Sequence, residues 1–195
     1  MTDMLEGKRV GFAMTGSFCT FSRVFPAAEA LKSAGAQLFP ILSENAWSLD
    51  TRFFAAAAVR ERLEGIAGRA AWHTLPQVEP IGPKKLLDLL VIAPCTGNTL
   101  GKLAAGIFDT PVTMAAKSHL RNAGPMLIAV STNDGLSTSA RSLGTLMAWR
   151  NVFFVPFRQD DPERKPASLV ADMAEIPRAA RDALEGRQTQ PILLA

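Results

Sequence analysis

The six residues Pro94-Cys95-Thr96-Gly97-Asn98-Thr99 gather hydroxyls, an amide and a glycine directly after the apolar run 86–94, and helical spacing begins at Leu100. A strand that hands such a turn to a helix N-terminus makes an anion site. The first-turn N–H groups lack intrahelical partners, the helix dipole favours negative charge, and glycine lets backbone come close to a ligand. On chemistry alone two roles are open: Thr96 or Asn98 caps the helix, or the turn holds a phosphate.

Three further polar turns follow apolar runs. Gly16-Ser17 ends the run 8–15, Ser43-Glu44-Asn45 follows 37–42, and Ser131-Thr132-Asn133-Asp134-Gly135 follows 125–130. Helical spacing fills the intervals over 21–33, 51–64, 111–120 and 136–149, with Pro111 tolerated in a first turn. A Pro-rich connection at 73–83 belongs on the surface or over a site. The run 151–157 is the last strand expected. A charged loop at 159–166 and a helical tail at 168–185, interrupted by Pro177, complete the chain.

Strands separated by helices throughout predict an α/β fold: a doubly wound, three-layer parallel sheet, in a single domain over 1–195 whose charged loop and helical tail begin at about 158. Ligands of such sheets bind beyond the carboxyl ends of the strands, so the four polar turns converge on one edge and point to a phosphate-bearing ligand. No GxGxxG follows the first strand and no GxxxxGK[ST] occurs, which argues against ordinary dinucleotide and P-loop sites.

Composition narrows the class. With 195 residues, 48% hydrophobic and 20% charged, the chain buries a sizeable core. Its 21 Lys and Arg are interleaved with 18 Asp and Glu, so a net charge of +3 makes no nucleic-acid surface. The apolar runs are too short to cross a bilayer and Met1 to Val10 has no signal-peptide core, so a cytoplasmic protein without a membrane partner is expected. Cys19 and Cys95 lie outside metal or disulfide patterns and only two His occur, so no metal site is expected.

The segments VGFAMTGSFCTF and APCTGNTLGKLAAGIFDTPVTMAAK carry a recognisable pattern. They resemble the flavoprotein family of flavin-containing decarboxylases and flavin prenyltransferases. Its shared marks are the strand-end TGS, the Pro-x-(Ser/Thr)-x-Asn-Thr turn and the Gly-x-x-Asp after the helix. The segments EPIGPKKLLDLLVIAP, TPVTMAAKSHLRN, STNDGL and FVPFRQDDPERKP resemble family members that form one half of a two-component oxidoreductase.

The resemblance implies a Rossmann-like flavoprotein fold and an FMN site at Gly16, Ser17, Ser43, Pro94, Thr96, Asn98 and Thr99. It implies homo-oligomers, commonly trimer-based, because family flavin sites lie at contacts between copies. It also implies a partner protein that binds NAD(P), and a dihydro-dicarboxylate substrate oxidised to an aromatic dicarboxylate for bacterial spores.

Departures from the family pattern matter. Phe18 stands where a His is expected in the first loop. The turn Ser131-Thr132-Asn133-Asp134 replaces the Pro-Ala-Met-Asn of the decarboxylases, which turns the reading away from decarboxylation while leaving the Asn133 amide to orient a substrate carboxylate. His73, loosely placed like the decarboxylase His, is the candidate general base, against the plainer reading of a satisfied loop His.

Lys117 and Arg121, at i and i+4, present two cations to a dianionic substrate or to the flavin phosphate of a neighbouring copy, unless they form a solvated face. His119 reads as a helix C-terminal cap, Cys95 as a small buried residue, and Asp109-Thr110 as the cap of the helix opening at Pro111. Trp47, Trp72 and Trp149 stack on a flavin ring or pack in the core. Three functions follow: one component of a flavin-dependent oxidoreductase, a non-catalytic partner within such an enzyme, or a decarboxylase or prenyltransferase.

Overall fold

In the computed structural model, residues 4–195 are described; residues 1–3 of the Met1 to Val10 stretch lie outside them. The first strand, β1 (Arg9–Met14), passes through a short 3-10 turn into α1 (Phe21–Ser33), and β2 (Gln37–Leu42) follows. Then come α2 (Glu44–Ser48), α3 (Ala56–Ala67) and the single turn α4 (Leu75–Val78). The middle of the chain is β3 (Leu89–Cys95), α5 (Gly97–Ala104), α6 (Pro111–Leu120), β4 (Met126–Thr132) and α7 (Ala140–Met147). The last part is β5 (Val152–Phe154), β6 (Phe157–Asp161), β7 (Lys165–Ala171) and α8 (Ile176–Leu184).

The sheet runs β2-β1-β3-β4, with β5 added in parallel to the first half of β4. In register, Phe12 lies beside Val91 and Val91 beside Leu127, and all seven residues of β3 are buried. Strands covered on both faces have no reason to alternate, which is why 89–94 and 125–130 read as unbroken apolar runs. Helices α1, α3 and α8 pack on one face, α5, α6 and α7 on the other. A core running from Phe12, Phe21 and Phe25 to Ile128 and Phe154 fills the space between the layers.

The end of the chain departs from the sequence expectation. The loop expected over 159–166 is reduced to a turn at 162–164 between two strands, and 168–171 are strand rather than helix. β6 and β7 form an antiparallel hairpin, and β7 pairs antiparallel with Ser131 and Thr132 at the end of β4. The sheet is therefore parallel only through β5 and mixed beyond it. An arm that projects past the layers exposes both faces, so β6 carries Arg158, Gln159 and Asp160 in solvent and shows no apolar alternation. Within β7 the buried residues are 168–171, where Ser168 is followed by the apolar Leu169, Val170 and Ala171.

Smaller differences have local causes. The helix expected over 51–64 is α3, shifted to Ala56–Ala67, because Asp50 and Thr51 fold the preceding turn: the Asp50 carboxylate accepts the Ala56 N–H at 2.8 Å. The helix expected over 136–149 shortens to Ala140–Met147, because the 134–139 segment wraps around Asp134. Among the described residues, no helix is long and apolar enough to cross a membrane, and no cluster of His, Cys, Asp and Glu could hold a metal ion.

Candidate functional site

The carboxyl ends of β1, β3 and β4 open into a cleft of about 700 Å3 whose far wall is the β6–β7 hairpin. That volume falls within the roughly 300–1,000 Å3 of small-molecule sites. Three turns meet in it: Gly16-Ser17, Thr96-Gly97-Asn98 and 131–134. Thr15 joins the first two. Its hydroxyl donates to the Pro94 carbonyl at 2.7 Å and accepts the Thr96 N–H at 3.0 Å, which sets the spacing between the two strand ends.

Between the first turn and the third lies a closed set of hydroxyls. Ser17 and Ser131 Oγ are 2.7 Å apart, Thr20 Oγ1 and Ser131 Oγ 2.7 Å, and Ser17 Oγ and Thr20 Oγ1 3.2 Å. All three residues line the cleft, but Thr20 and Ser131 are buried and Ser17 is only half so, which makes Ser17 the most open to it. Each hydroxyl has one proton and two lone pairs. Ser17 can therefore turn toward a ligand while Thr20 and Ser131 keep each other satisfied.

The α5 N-terminus forms the second wall. Thr96 is its N-cap: the hydroxyl accepts the Thr99 N–H at 3.3 Å and shares a 3.1 Å contact with the Thr99 hydroxyl. That capping still leaves the first-turn N–H groups of Gly97 and Asn98 beside the cleft. Capping and anion binding are thus compatible here, because they use different donors.

Asp134 supports this end from below. Its carboxylate accepts from the hydroxyls of Thr132, Thr138 and Ser139. Burial works to raise its pKa, but the three hydroxyl donors outweigh it and hold the group below the ordinary carboxylate value. Gly97 sits against this cluster. A Cβ there would lie 2.5 Å from Ser139 Oγ, 2.6 Å from Asp134 Oδ1 and 2.7 Å from Thr132 Oγ1. No side chain fits, so the glycine is needed for the close approach of α5 to the 132–139 turn.

The expected site residues divide. Gly16, Ser17, Thr96, Asn98 and Asn133 line the cleft, and Asn98 and Asn133 are exposed there. Ser43, Pro94 and Thr99 do not line it. Ser43 caps α2 by accepting the Ala46 N–H at 3.3 Å, Pro94 is buried in β3, and the Thr99 hydroxyl is taken up by the α5 cap. Ser43 follows β2, the edge strand, and its turn folds back into α2 rather than over the cleft.

Lys117 and Arg121 lie elsewhere. They flank a depression near the amino ends of β4 and β5, the opposite edge of the sheet from the cleft. The seven residues of β4 separate the two places by about 20 Å. They do not reach the cleft of their own chain.

His73 is also outside the cleft, stacked on Trp47 with ring centroids 3.6 Å apart and 1° between planes. Trp72 packs on Phe39, and none of the three tryptophans lines the cleft. The aromatic side chains that do are Phe18 and the 45% exposed Phe53. His119 is buried and bonds the Pro125 carbonyl at 2.9 Å rather than capping its own helix. Burial lowers its pKa, so it is neutral. Thr110 caps α6 as expected, whereas Asp109 instead faces Lys102 at 2.6 Å. Cys95 is fully buried, which pushes its thiol pKa far up, and Cys19 is exposed at the cleft.

Several cleft residues were not singled out in the sequence. Arg23 comes from α1, and Asp160 and Lys165, paired at 2.7 Å, come from the hairpin. No local motif marks them, because a tertiary fold alone brings α1 and the hairpin to the strand ends.

A family model described as Flavoprotein matches residues 1–159. The B subunit of dipicolinate synthase from Bacillus subtilis (strain 168) is 45% identical over 190 residues, covering 97% of this chain and 95% of that protein. The crystal structure of the B subunit of dipicolinate synthase from Bacillus halodurans has a TM-score of 0.90 with 40% identity, covering 98% of each chain. The FMN-dependent cysteine decarboxylase SpaF has a TM-score of 0.68 at 19% identity, covering 93% of this chain and 97% of that one, a likeness of fold alone.

Proposed function

The chain belongs to the flavoprotein family and is a homologue of the dipicolinate synthase B subunit, and on that footing we propose that its strand-end cleft binds FMN and helps oxidise dihydrodipicolinate to dipicolinate during sporulation. The observation that carries the reading is the convergence of Ser17, Thr96 and the α5 first turn on one cleft that also holds two aromatic side chains. Hydroxyls and free N–H groups suit a phosphate, and Phe18 and Phe53 suit a planar ring. The solved relatives described as FMN-dependent or FMN-binding support the same assignment.

Ser17, Thr96 and the N–H groups of Gly97 and Asn98 would hold the phosphate, with Thr20 and Ser131 fixing Ser17. Formation of dipicolinate removes two electrons and two hydrogens from the substrate ring, and the flavin, when bound, supplies the two-electron acceptor. The chain's part is placement. The exposed Asn133 amide meets one substrate carboxylate, and Arg23 draws a dianion into the cleft. Asp134 stays ionised and bonded, so it holds the turn and carries no proton for the reaction.

The reading includes a partner, the A subunit of dipicolinate synthase, binding NAD(P), and a trimer-based homo-oligomer in the cytoplasm. A second reading, a non-catalytic component that completes its partner, is favoured by one observation. Among the described residues of the cleft there is no His, and both carboxylates, Asp134 and Asp160, are engaged. Decarboxylation has no such support, since His73 rests on Trp47.

The test is anaerobic mixing of the FMN-loaded protein, alone, with dihydrodipicolinate. Loss of the flavin's visible absorbance together with appearance of dipicolinate supports the oxidoreductase reading. Flavin that stays oxidised until the NAD(P)-binding partner is added supports the non-catalytic one.

A further inference from the structure

The edge of the sheet opposite the cleft carries a second feature. A shallow groove of about 470 Å3 runs between the end of α6 and the α7–β5 turn, and Phe108, Lys117, Arg121, Trp149 and Arg150 face it. At Trp149 to Asn151 it continues into a neighbouring depression of about 400 Å3 bordered by Met147 and Ile192. Lys117, Arg121 and Arg150 are exposed, and none faces a carboxylate within ion-pair distance among the described residues. Arg9, Lys102, Lys165, Arg178 and Arg187 each do. Lys117 Nζ instead lies 5.3 Å from the Phe108 ring centroid. Met147 and, beside Phe108, Ile107 add apolar side chains exposed by 44% and 46%.

Three neighbouring cations repel one another, and half-buried aromatic surface costs free energy in water. Both are relieved by one ligand type, carboxylates mounted beside an apolar side chain. Trp and Arg are the residues that dominate protein interfaces, and an open groove in two connected parts is shaped for a chain segment rather than for enclosure of a small molecule. We infer that this face docks an acidic, apolar-bearing segment of the synthase's other component, with its carboxylates on Lys117, Arg121 and Arg150 and its apolar side chain against Trp149. The inference rests on the reading of this chain as one of two components of an enzyme. It leaves the cleft on the opposite edge free for substrate.

The test uses the whole chain and the purified A subunit of dipicolinate synthase, with binding measured by calorimetry and assembly size by sedimentation. The double variant Lys117→Glu with Arg150→Glu should bind that partner at least about tenfold more weakly, and wild-type binding should weaken as salt is raised. The milder pair Lys117→Gln with Arg150→Gln, which reverses no charge, should lie between the two. FMN titration and the chain's own assembly size should be the same in all three. Unchanged affinity for the partner, or no binding of the partner by the wild type, overturns the inference. So does a change in the chain's own assembly size, which would make the face a contact between copies, or loss of pyridine-2,6-dicarboxylate binding, which would make it a small-molecule site. A chain that binds the partner through this face but takes up no FMN keeps this inference and removes the flavin reading.

Discussion

Replacing Gly97 by alanine tests how the α5 N-terminus is seated. In most helix positions this exchange stabilises, by up to about 1 kcal/mol. Here the new Cβ would lie 2.5–2.7 Å from three oxygens of the Asp134 cluster, well inside the 3.4 Å at which ordinary contact begins. One of the hydroxyl bonds to the Asp134 carboxylate must then open, and a hydrogen bond to a charged group contributes about 1.5–3 kcal/mol. The balance is a net loss of about 2 kcal/mol, or a melting temperature lowered by about 4–8 °C for a chain of this size. The matched control is Gly144→Ala in α7, where nothing lies within 4 Å of the added Cβ. It should gain up to about 1 kcal/mol and melt about 2–4 °C higher. Thermal melts of the three proteins, followed by circular dichroism, decide the matter. A Gly97→Ala protein that melts at or above the wild-type temperature would refute the reasoning.

Three further outcomes follow from the same geometry. Ser17→Ala should weaken FMN binding about tenfold, measured by flavin fluorescence, while leaving the melting temperature within a few degrees; an unchanged affinity would remove Ser17 from the phosphate site. A thiol reagent should label one cysteine per native chain, Cys19, because burial keeps Cys95 protonated, and two after unfolding; two labels on the native protein would contradict the burial. His119 is held neutral with its pKa below 6.5, so the unfolded chain takes up its proton first as the pH falls and the contribution of the neutral ring is lost below that value. Wild type should therefore lose stability relative to His119→Gln as the pH is lowered through 6.5 in denaturant titrations, and a constant difference would count against a buried neutral ring.

Much of the fold was legible because its signals are local. The central strands are carried by apolar runs, 89–94 in β3 and 126–130 in β4, and α1, β2 and α6 are bounded by residues that stop or cap a chain: Gly35 after α1, Ser43 after β2, Thr110 before α6. The β6–β7 hairpin was not legible, because Arg158 to Asp160 on an exposed arm have the composition of a loop and join the sheet only by pairing with β7, whose Leu169 and Val170 pair in turn with Thr132 and Ser131. The same holds at the cleft. Gly16, Ser17, Thr96 and Asn98 announce themselves as polar residues after apolar runs, but so does Ser43, whose turn is spent on capping α2. Spacing shows that Lys117 and Arg121 share a helix face and says nothing of which end of the sheet that face adjoins. Arg23, Asp160 and Lys165 reach the cleft only through tertiary packing.

The central claim is that the strand-end cleft is a flavin phosphate site. An FMN titration of the purified chain, read in parallel with riboflavin, which has the same ring system and no phosphate, addresses it most directly. The account predicts saturable FMN binding with a shifted flavin spectrum, and riboflavin binding weaker by at least about tenfold, with that gap narrowed in Ser17→Ala. Equal affinity for the two flavins, or no uptake of FMN by the folded chain, would contradict it.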